Sequence, residues 1–111
     1  MKPWLIVVGT GRDGTASMHH FISQLFENES KGRQACHEYA SRDCYNALDA
    51  YWRTKEKNGG EGNRSELANL YRLLSSCPYD AIIGNGYAFA FTELSNLFPK
   101  DAYFIHLKRH D

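Results

Sequence analysis

The feature that most constrains this chain is a continuous apolar run that ends abruptly in a glycine-rich loop. Residues 4–8 read WLIVV, and such an unbroken, β-rich run is typical of a strand buried on both faces of a parallel sheet. Residues 9–14 read GTGRDG, and three glycines in six residues predict a tight turn. From Thr15 onward apolar residues recur at spacings of three and four, which predicts a helix that ends near residues 28–32.

The rest of the chain continues this alternation of strands and helices. The predicted elements are a strand over 34–39, a helix N-capped by Ser41, a helix opened by a capping box at Asn63 and Glu66, a strand over 80–84, a helix over 88–97 and a strand over 102–107. This order predicts an α/β fold of three layers with a mostly parallel sheet, in a single domain over residues 1–111.

Periodicity also predicts which side chains pack inside. The residues expected to face the core from helices are Met18, Phe21, Ile22, Leu25, Phe26, Tyr45, Tyr51, Trp52, Phe91, Leu94 and Leu97. His106 alternates within the last strand and is expected to be a core histidine. Lys55 is expected on a solvated helix face. Of the adjacent His19 and His20, one should pack against the protein and the other should face solvent.

Composition limits the partners. The chain has 13 basic and 13 acidic residues, so its global charge does not favour nucleic acid or acidic membranes, and any anion site must be local. Its three cysteines have irregular spacing, which fits neither a disulfide framework nor a metal site and indicates a reduced, cytoplasmic protein. No apolar run approaches the roughly 20 residues that cross a membrane.

The loop over residues 9–15 has the composition of an anion-binding site. Its glycines let the backbone approach a ligand, and the helix that follows offers free N–H groups and a positive dipole end. Arg12 adds a guanidinium that can pair with an oxyanion through two hydrogen bonds, and Thr15 adds a hydroxyl. These features predict a phosphate or sulfate site; the alternative is a strand–helix turn without a ligand.

Two nucleotide-binding motifs can be compared with this loop. A Walker A loop that began at Gly9 would need lysine at Thr15 and serine or threonine at Ala16, so magnesium-dependent phosphoryl transfer is disfavoured. The pattern GxGxxG does match Gly9, Gly11 and Gly14, and Glu38 could bind a ribose. An NAD-dependent oxidoreductase domain therefore remains an alternative.

Two longer stretches resemble the PAPS-dependent sulfotransferase family. The segment GTGRDGTASMHHFISQL resembles the family's 5′-phosphosulfate loop, and AYFIHLKRHD resembles the strand that delivers an arginine to the 3′-phosphate. Between them, IIGNGYAFAFTELSNLFPK has the family's rhythm of strand, glycine break and short helix. The resemblance implies a P-loop-type, sulfotransferase-like fold that is incomplete here, since family domains are usually longer.

The resemblance also implies roles for particular residues. The residues matched to the binding site of PAPS (3′-phosphoadenosine 5′-phosphosulfate), the co-substrate, are Gly9, Thr10, Gly11, Arg12, Asp13, Gly14, Thr15, Ala16, Ser17 and Arg109. Arg12 would stabilise charge on the bridging oxygen, and Arg109 would reach the 3′-phosphate, without a metal. Asp13 departs from the family's usual serine and places a carboxylate beside the anion site.

Sulfuryl transfer to a hydroxyl or amine needs a general base near the acceptor. His37 and Glu38 end the predicted second strand, on the same sheet edge as the loop. Strand alternation predicts that only one of them faces the cleft, and we favour Glu38; the alternative is a pair on the surface. The acceptor would be a small molecule or a carbohydrate. A non-catalytic nucleotide-binding module is a further alternative, and an open sheet edge could pair two chains.

Overall fold

The computed structural model describes residues 3–9, 14–60, 62–85, 87–98, 100 and 102–107. The strands are β1 (Leu5–Val8), β2 (Ala35–His37), β3 (Ala81–Gly84) and β4 (Tyr103–His106). The helices are α1 (Thr15–Glu29), α2 (Arg42–Lys57), α3 (Arg64–Ser75) and α4 (Phe91–Leu97), with a 3₁₀ turn at Ala88–Ala90. The helix predicted over 88–97 is therefore two elements, a 3₁₀ turn followed by α4.

The four strands of the described chain form one parallel sheet in the order β2-β3-β1-β4. From β1 the chain passes over β3 to reach β2, and the next two connections run in the opposite direction. Because crossovers between parallel strands are right-handed, this reversal places α1 on one face and α2, α3 and α4 on the other. The predicted three-layer α/β fold is confirmed.

Each face of the two central strands packs against its own layer of helices. On the α1 side the core contains Val7, Ile22, Phe26, Ala81 and Ile83. On the opposite side, Ile6, Val8 and Ile82 pack against residues of α2, α3 and α4 that include Leu48, Leu70, Leu74 and Leu94. The alternation of neighbours along β1 and β3 explains why both strands are apolar at every described position.

Side-chain caps define the starts of α2 and α3. Ser41 caps α2 as predicted, since its hydroxyl accepts a hydrogen bond from the Cys44 amide at 3.1 Å. Asn63 caps α3 by accepting from the amides of Ser65 and Glu66. The predicted capping box is only half formed, because the Glu66 carboxylate accepts from the Thr54 hydroxyl of α2 instead. Glu66 thus joins the two helices.

Several side chains expected in the core are exposed. They are Phe21 and Leu25 of α1, Tyr45 and Trp52 of α2, and Leu97 of α4. The apolar stripe of α1 is wider than the surface that covers it, since only Ile22 and Phe26 are buried among its large apolar residues. His106 is also exposed and is not a core histidine, because β4 lies at the edge of the described sheet.

A polar contact between α2 and α4 corrects the expectation for Lys55. The Glu93 carboxylate accepts hydrogen bonds from the Tyr51 hydroxyl at 2.8 Å and from the Lys55 ammonium at 2.7 Å. Burial opposes ionisation of Glu93, but these two hydrogen bonds, a backbone hydrogen bond and the charge of Lys55 together lower its pKa. Burial, followed by the bond to Glu93, raises the pKa of Tyr51 to about 12. Lys55 therefore holds α2 to α4 and does not simply lie on a solvated helix face.

Candidate functional site

Three strand ends meet at the carboxyl edge of the sheet. Gly9 follows β1, Gly84 ends β3, and Glu38 follows β2. Backbone hydrogen bonds hold them in a row, from Gly9 N–H to the Gly84 carbonyl at 3.3 Å and from Glu38 N–H to the Ile83 carbonyl at 2.8 Å. Because β3 lies between β1 and β2, Gly9 at the end of β1 and the Glu38 backbone are two strand spacings apart, roughly 10 Å.

Among the described residues, no side chain caps the first amides of α1. Gly14 is the N-cap residue, in a left-handed conformation with φ 84°, and the first turn holds no acidic residue. Thr15 is buried, whereas Ala16 and Ser17 are exposed. Since the first amides of a helix have no intrahelical partner, this terminus presents donors and a positive dipole end. Such a terminus suits an anion.

Glu38 has a backbone conformation that is unusual for a residue with a side chain. Its φ is +73°, in the left-handed region, which costs roughly 1–2 kcal/mol for an L-residue. The conformation is supported by close packing against Gly84: a Cβ added there would lie 2.7 Å from Glu38 Cα and 3.2 Å from its Oε2. Only a glycine at the end of β3 leaves room for Glu38. Strain of this kind clusters at functional sites.

The left-handed turn brings His37 and Glu38 to the same side. His37 Nε2 lies 3.3 Å from Glu38 Oε1, and both side chains are about one-third exposed. The two side chains therefore meet, and which of them faces the cleft stays a prediction. Alternation holds only while the backbone stays extended, and it stops at Glu38.

His19 on α1 completes a small cluster with this pair. Its ring stacks on that of His37 with centroids 5.3 Å apart and planes inclined by 23°. His19 Nε2 also lies 3.4 Å from both the Ala35 carbonyl oxygen and the Ser23 hydroxyl. His20 is exposed, so the expectation of one packed and one solvated histidine is confirmed. The cluster links the helix after the glycine loop to the end of β2.

Tyrosines and a thiol flank the Glu38 carboxylate. The Tyr39 ring meets the rings of Tyr45 at 4.8 Å and Tyr87 at 6.1 Å, both edge to face. Burial, and then the charge of Glu38, raise the pKa of Tyr39. Burial, followed by the neighbouring thiols and Glu38, raises the pKa of Cys36 to about 11. Cys36 is therefore a protonated thiol near neutral pH and a poor nucleophile.

The structure brings some of the predicted site residues together. Gly9, Gly14, Thr15, Ala16 and Ser17 belong to the segment that joins β1 to α1, at the edge where His37 and Glu38 lie. Thr10, Gly11, Arg12, Asp13 and Arg109 lie outside the described residues, so their roles stay predictions.

Sequence reasoning did not identify His19 and Gly84 as parts of this site. A glycine directly after a buried apolar run was a usable signal for Gly84, because it marks a place where another group can approach the backbone. The contact of His19 had no local signal, since it depends on how α1 crosses β2.

The sheet order bears on the dinucleotide alternative. In the classic dinucleotide-binding order, 3-2-1-4-5-6, the second strand lies beside the first, so its terminal acid can reach the ribose. Here β3 separates them, and Glu38, at the end of β2, lies two strands from β1. This order does not support binding of NAD.

Within the described residues, no group of three or more histidine, cysteine or acidic side chains is arranged to hold a metal ion. None of the helices in the described chain combines the length and apolarity that crossing a membrane requires. Cys36, Cys44 and Cys77 are not joined by disulfide bonds.

Comparison with known proteins gives one family. The model of a sulfotransferase domain matches residues 4–111, which is nearly the whole chain. The match includes both stretches that resembled this family, the glycine loop and the last strand. The comparisons with curated proteins and with solved structures gave no match.

Proposed function

This chain belongs to the sulfotransferase domain family, and on that premise we propose that it transfers a sulfuryl group from PAPS to a hydroxyl or amine acceptor. Residues 9–17 bind the 5′-phosphosulfate, Arg109 binds the 3′-phosphate, and Glu38 is the general base. The observation that carries the proposal is the placement of Glu38, held in a left-handed conformation beside Gly84 on the edge that also carries the start of α1, which no described side chain caps.

The amides at the start of α1 support the binding of the sulfuryl donor. A transferring sulfuryl group carries less negative charge than a phosphoryl group, so fixed N–H donors and one or two cations suffice to stabilise it. Gly14 allows the turn that presents these amides, since its left-handed φ carries no Cβ penalty. Arg12 adds a charge that stabilises the oxygen on which negative charge develops as the donor bond breaks.

The acceptor reacts beside the Glu38 carboxylate. Its oxygen or nitrogen attacks the sulfur while Glu38 removes the proton, forming a new bond to sulfur and a neutral carboxylic acid. The bond between sulfur and the 5′-phosphate oxygen breaks, and its electron pair leaves on 3′-phosphoadenosine 5′-phosphate. The missing side chain at Gly84 leaves room for Glu38 itself, and the exposed ring of Tyr45 supplies an apolar edge for a small or carbohydrate acceptor.

Calorimetric titration with 3′-phosphoadenosine 5′-phosphate tests the binding step. We expect binding without magnesium and no comparable affinity for NAD⁺ or for ATP with magnesium. Arg12→Ala should abolish the binding, whereas Arg53→Ala, on the exposed face of α2, should leave it unchanged. Unchanged affinity in Arg12→Ala would reject the assignment of the loop.

Release of 3′-phosphoadenosine 5′-phosphate from PAPS, measured with a panel of hydroxyl and amine acceptors, tests the chemistry. Glu38→Gln keeps the size of the side chain and removes the base, so turnover should fall by roughly 10²–10⁴-fold while binding of the product nucleotide persists. Binding by the wild type without turnover on any acceptor would instead indicate a nucleotide-binding module.

A further inference from the structure

The two oxygens of the Glu38 carboxylate have different surroundings. Oε1 lies 3.3 Å from His37 Nε2. Oε2 points toward the end of β3, where it lies 3.2 Å from the place that a Cβ of Gly84 would occupy. One oxygen therefore has a nitrogen partner, and the other packs against the backbone at the end of β3.

The His37 ring is itself held in place by His19. The two rings stack, and His19 Nε2 approaches the Ala35 carbonyl, which belongs to the same strand as His37. A carbonyl oxygen only accepts hydrogen bonds, so this contact requires the hydrogen of His19 on Nε2. The stack is thus anchored to β2 at one end, and α1 supplies the surface against which the His37 ring lies.

Few charged groups in the described chain face this carboxylate. From α1 the titratable neighbour is His19, and from the segment of Glu38 itself the neighbours are His37, Cys36 and Tyr39. The segment of β3 in contact is Ile83–Gly84, which has no ionisable side chain. Among these groups His37 is the one whose nitrogen lies within pairing distance of Glu38.

We infer that His37 positions Glu38 for the proposed reaction by donating the Nε2 hydrogen to Oε1, with His19 as the support that holds the His37 ring. The inference rests on the proposed function, to which it adds the residues that orient the base. Both histidines act through Glu38, so both are positioning residues.

Four variants distinguish a role of His37 in orienting the base from a role of its ring in packing alone. His37→Gln retains an N–H donor, whereas His37→Phe retains the ring and removes the donor; His19→Phe keeps the stack, and His20→Ala is a matched control on the exposed side of α1. In His37→Phe, kcat for PAPS turnover should fall by roughly 10- to 100-fold with little change in KM for PAPS, because a small misplacement of a base has effects of this size. His37→Gln, His19→Phe and His20→Ala should stay close to the wild type.

The tautomer of His37 gives a second readout that needs no turnover. In long-range ¹H–¹⁵N spectra of the histidine rings, His37 should show the shifts of an Nε2–H tautomer, and Glu38→Gln should alter those shifts without altering those of His20. Retention of kcat in His37→Phe, or an Nδ1–H tautomer of His37, would overturn the inference.

Failure of the proposed function has a different signature. If the wild type does not bind 3′-phosphoadenosine 5′-phosphate, the function is rejected together with the catalytic role of His37, whatever its tautomer. If the wild type binds and turns over PAPS while His37→Phe is equally active, only the inference about His37 is rejected.

Discussion

At Glu38, replacement by glycine should leave a more stable protein than replacement by alanine. At an ordinary strand position the order is the reverse. Glu38→Gly and Glu38→Ala both remove the carboxylate and its contact with His37, and they differ only in the Cβ. Alanine retains the left-handed strain at φ +73°, which costs roughly 1–2 kcal/mol. Glycine relieves that strain but loses about 0.4–1 kcal/mol through the greater freedom of the unfolded chain. The balance favours glycine by roughly 1 kcal/mol.

Urea unfolding followed by tryptophan fluorescence measures this difference. With a denaturant slope of about 1–3 kcal/mol per molar urea, the midpoint of Glu38→Gly should exceed that of Glu38→Ala by roughly 0.3–1 M. The matched control is the neighbouring position, since His37 belongs to the extended strand β2. There His37→Ala should be more stable than His37→Gly by about 0.5–1 kcal/mol.

The comparison has a clear negative outcome. If Glu38→Ala is at least as stable as Glu38→Gly, the same order as in the control, the strain at Glu38 does not exist in solution. If Glu38→Gly is more stable than the wild type but has lost turnover, then Glu38 is retained for its chemistry at a cost in stability.

Three further substitutions test the packing around the site and the core. Gly84→Ala would place a Cβ 2.7 Å from Glu38 Cα, so we expect a loss of about 1–3 kcal/mol in urea unfolding, and a normal midpoint would contradict the contact. Leu70→Ala removes a side chain with 0% exposure, and a loss of about 2–5 kcal/mol is expected in the same assay; a loss well below that would mean that the α3 core is loosely packed. The folded-state pKa of Glu93 is lowered, so its stabilising contact with Lys55 is complete above the ordinary value of about 4.5 and is lost as pH falls through the folded-state value. Glu93→Gln should therefore lower stability at pH 7 and reduce the loss on acidification, and an unchanged pH profile of unfolding would argue against the contact.

The elements of the fold were largely readable from local pattern. The apolar run of β1, the glycine turn and the helical spacing of α1 are consecutive in sequence, and each depends on interactions among near neighbours. Ser41 as the cap of α2 is of the same kind, because a side chain and an amide three residues later suffice to form it. Alternation of strands and helices then predicted a parallel sheet.

The predictions that were wrong concern side chains whose burial depends on elements distant in sequence. His106 and Leu97 have apolar or alternating surroundings in sequence, but each lies where the described fold provides incomplete cover. Lys55 has the neighbours of a solvated helix face, yet Glu93 of α4 lies within 2.7 Å. Periodicity predicts which face of a helix or strand is apolar. How much of that face is buried depends on the elements that pack against it.

The sequence by itself determined the strand–loop–helix at the start, the α/β class and the types of side chain available for anion binding and proton transfer. Only the tertiary structure decided that β3 lies between β1 and β2, that Gly84 leaves room for Glu38, and that His19 stacks on His37. The physical reason is the range of the interactions involved. Helix and turn preferences arise between neighbours in the chain, but the left-handed backbone of Glu38 is supported by a strand that is distant in sequence.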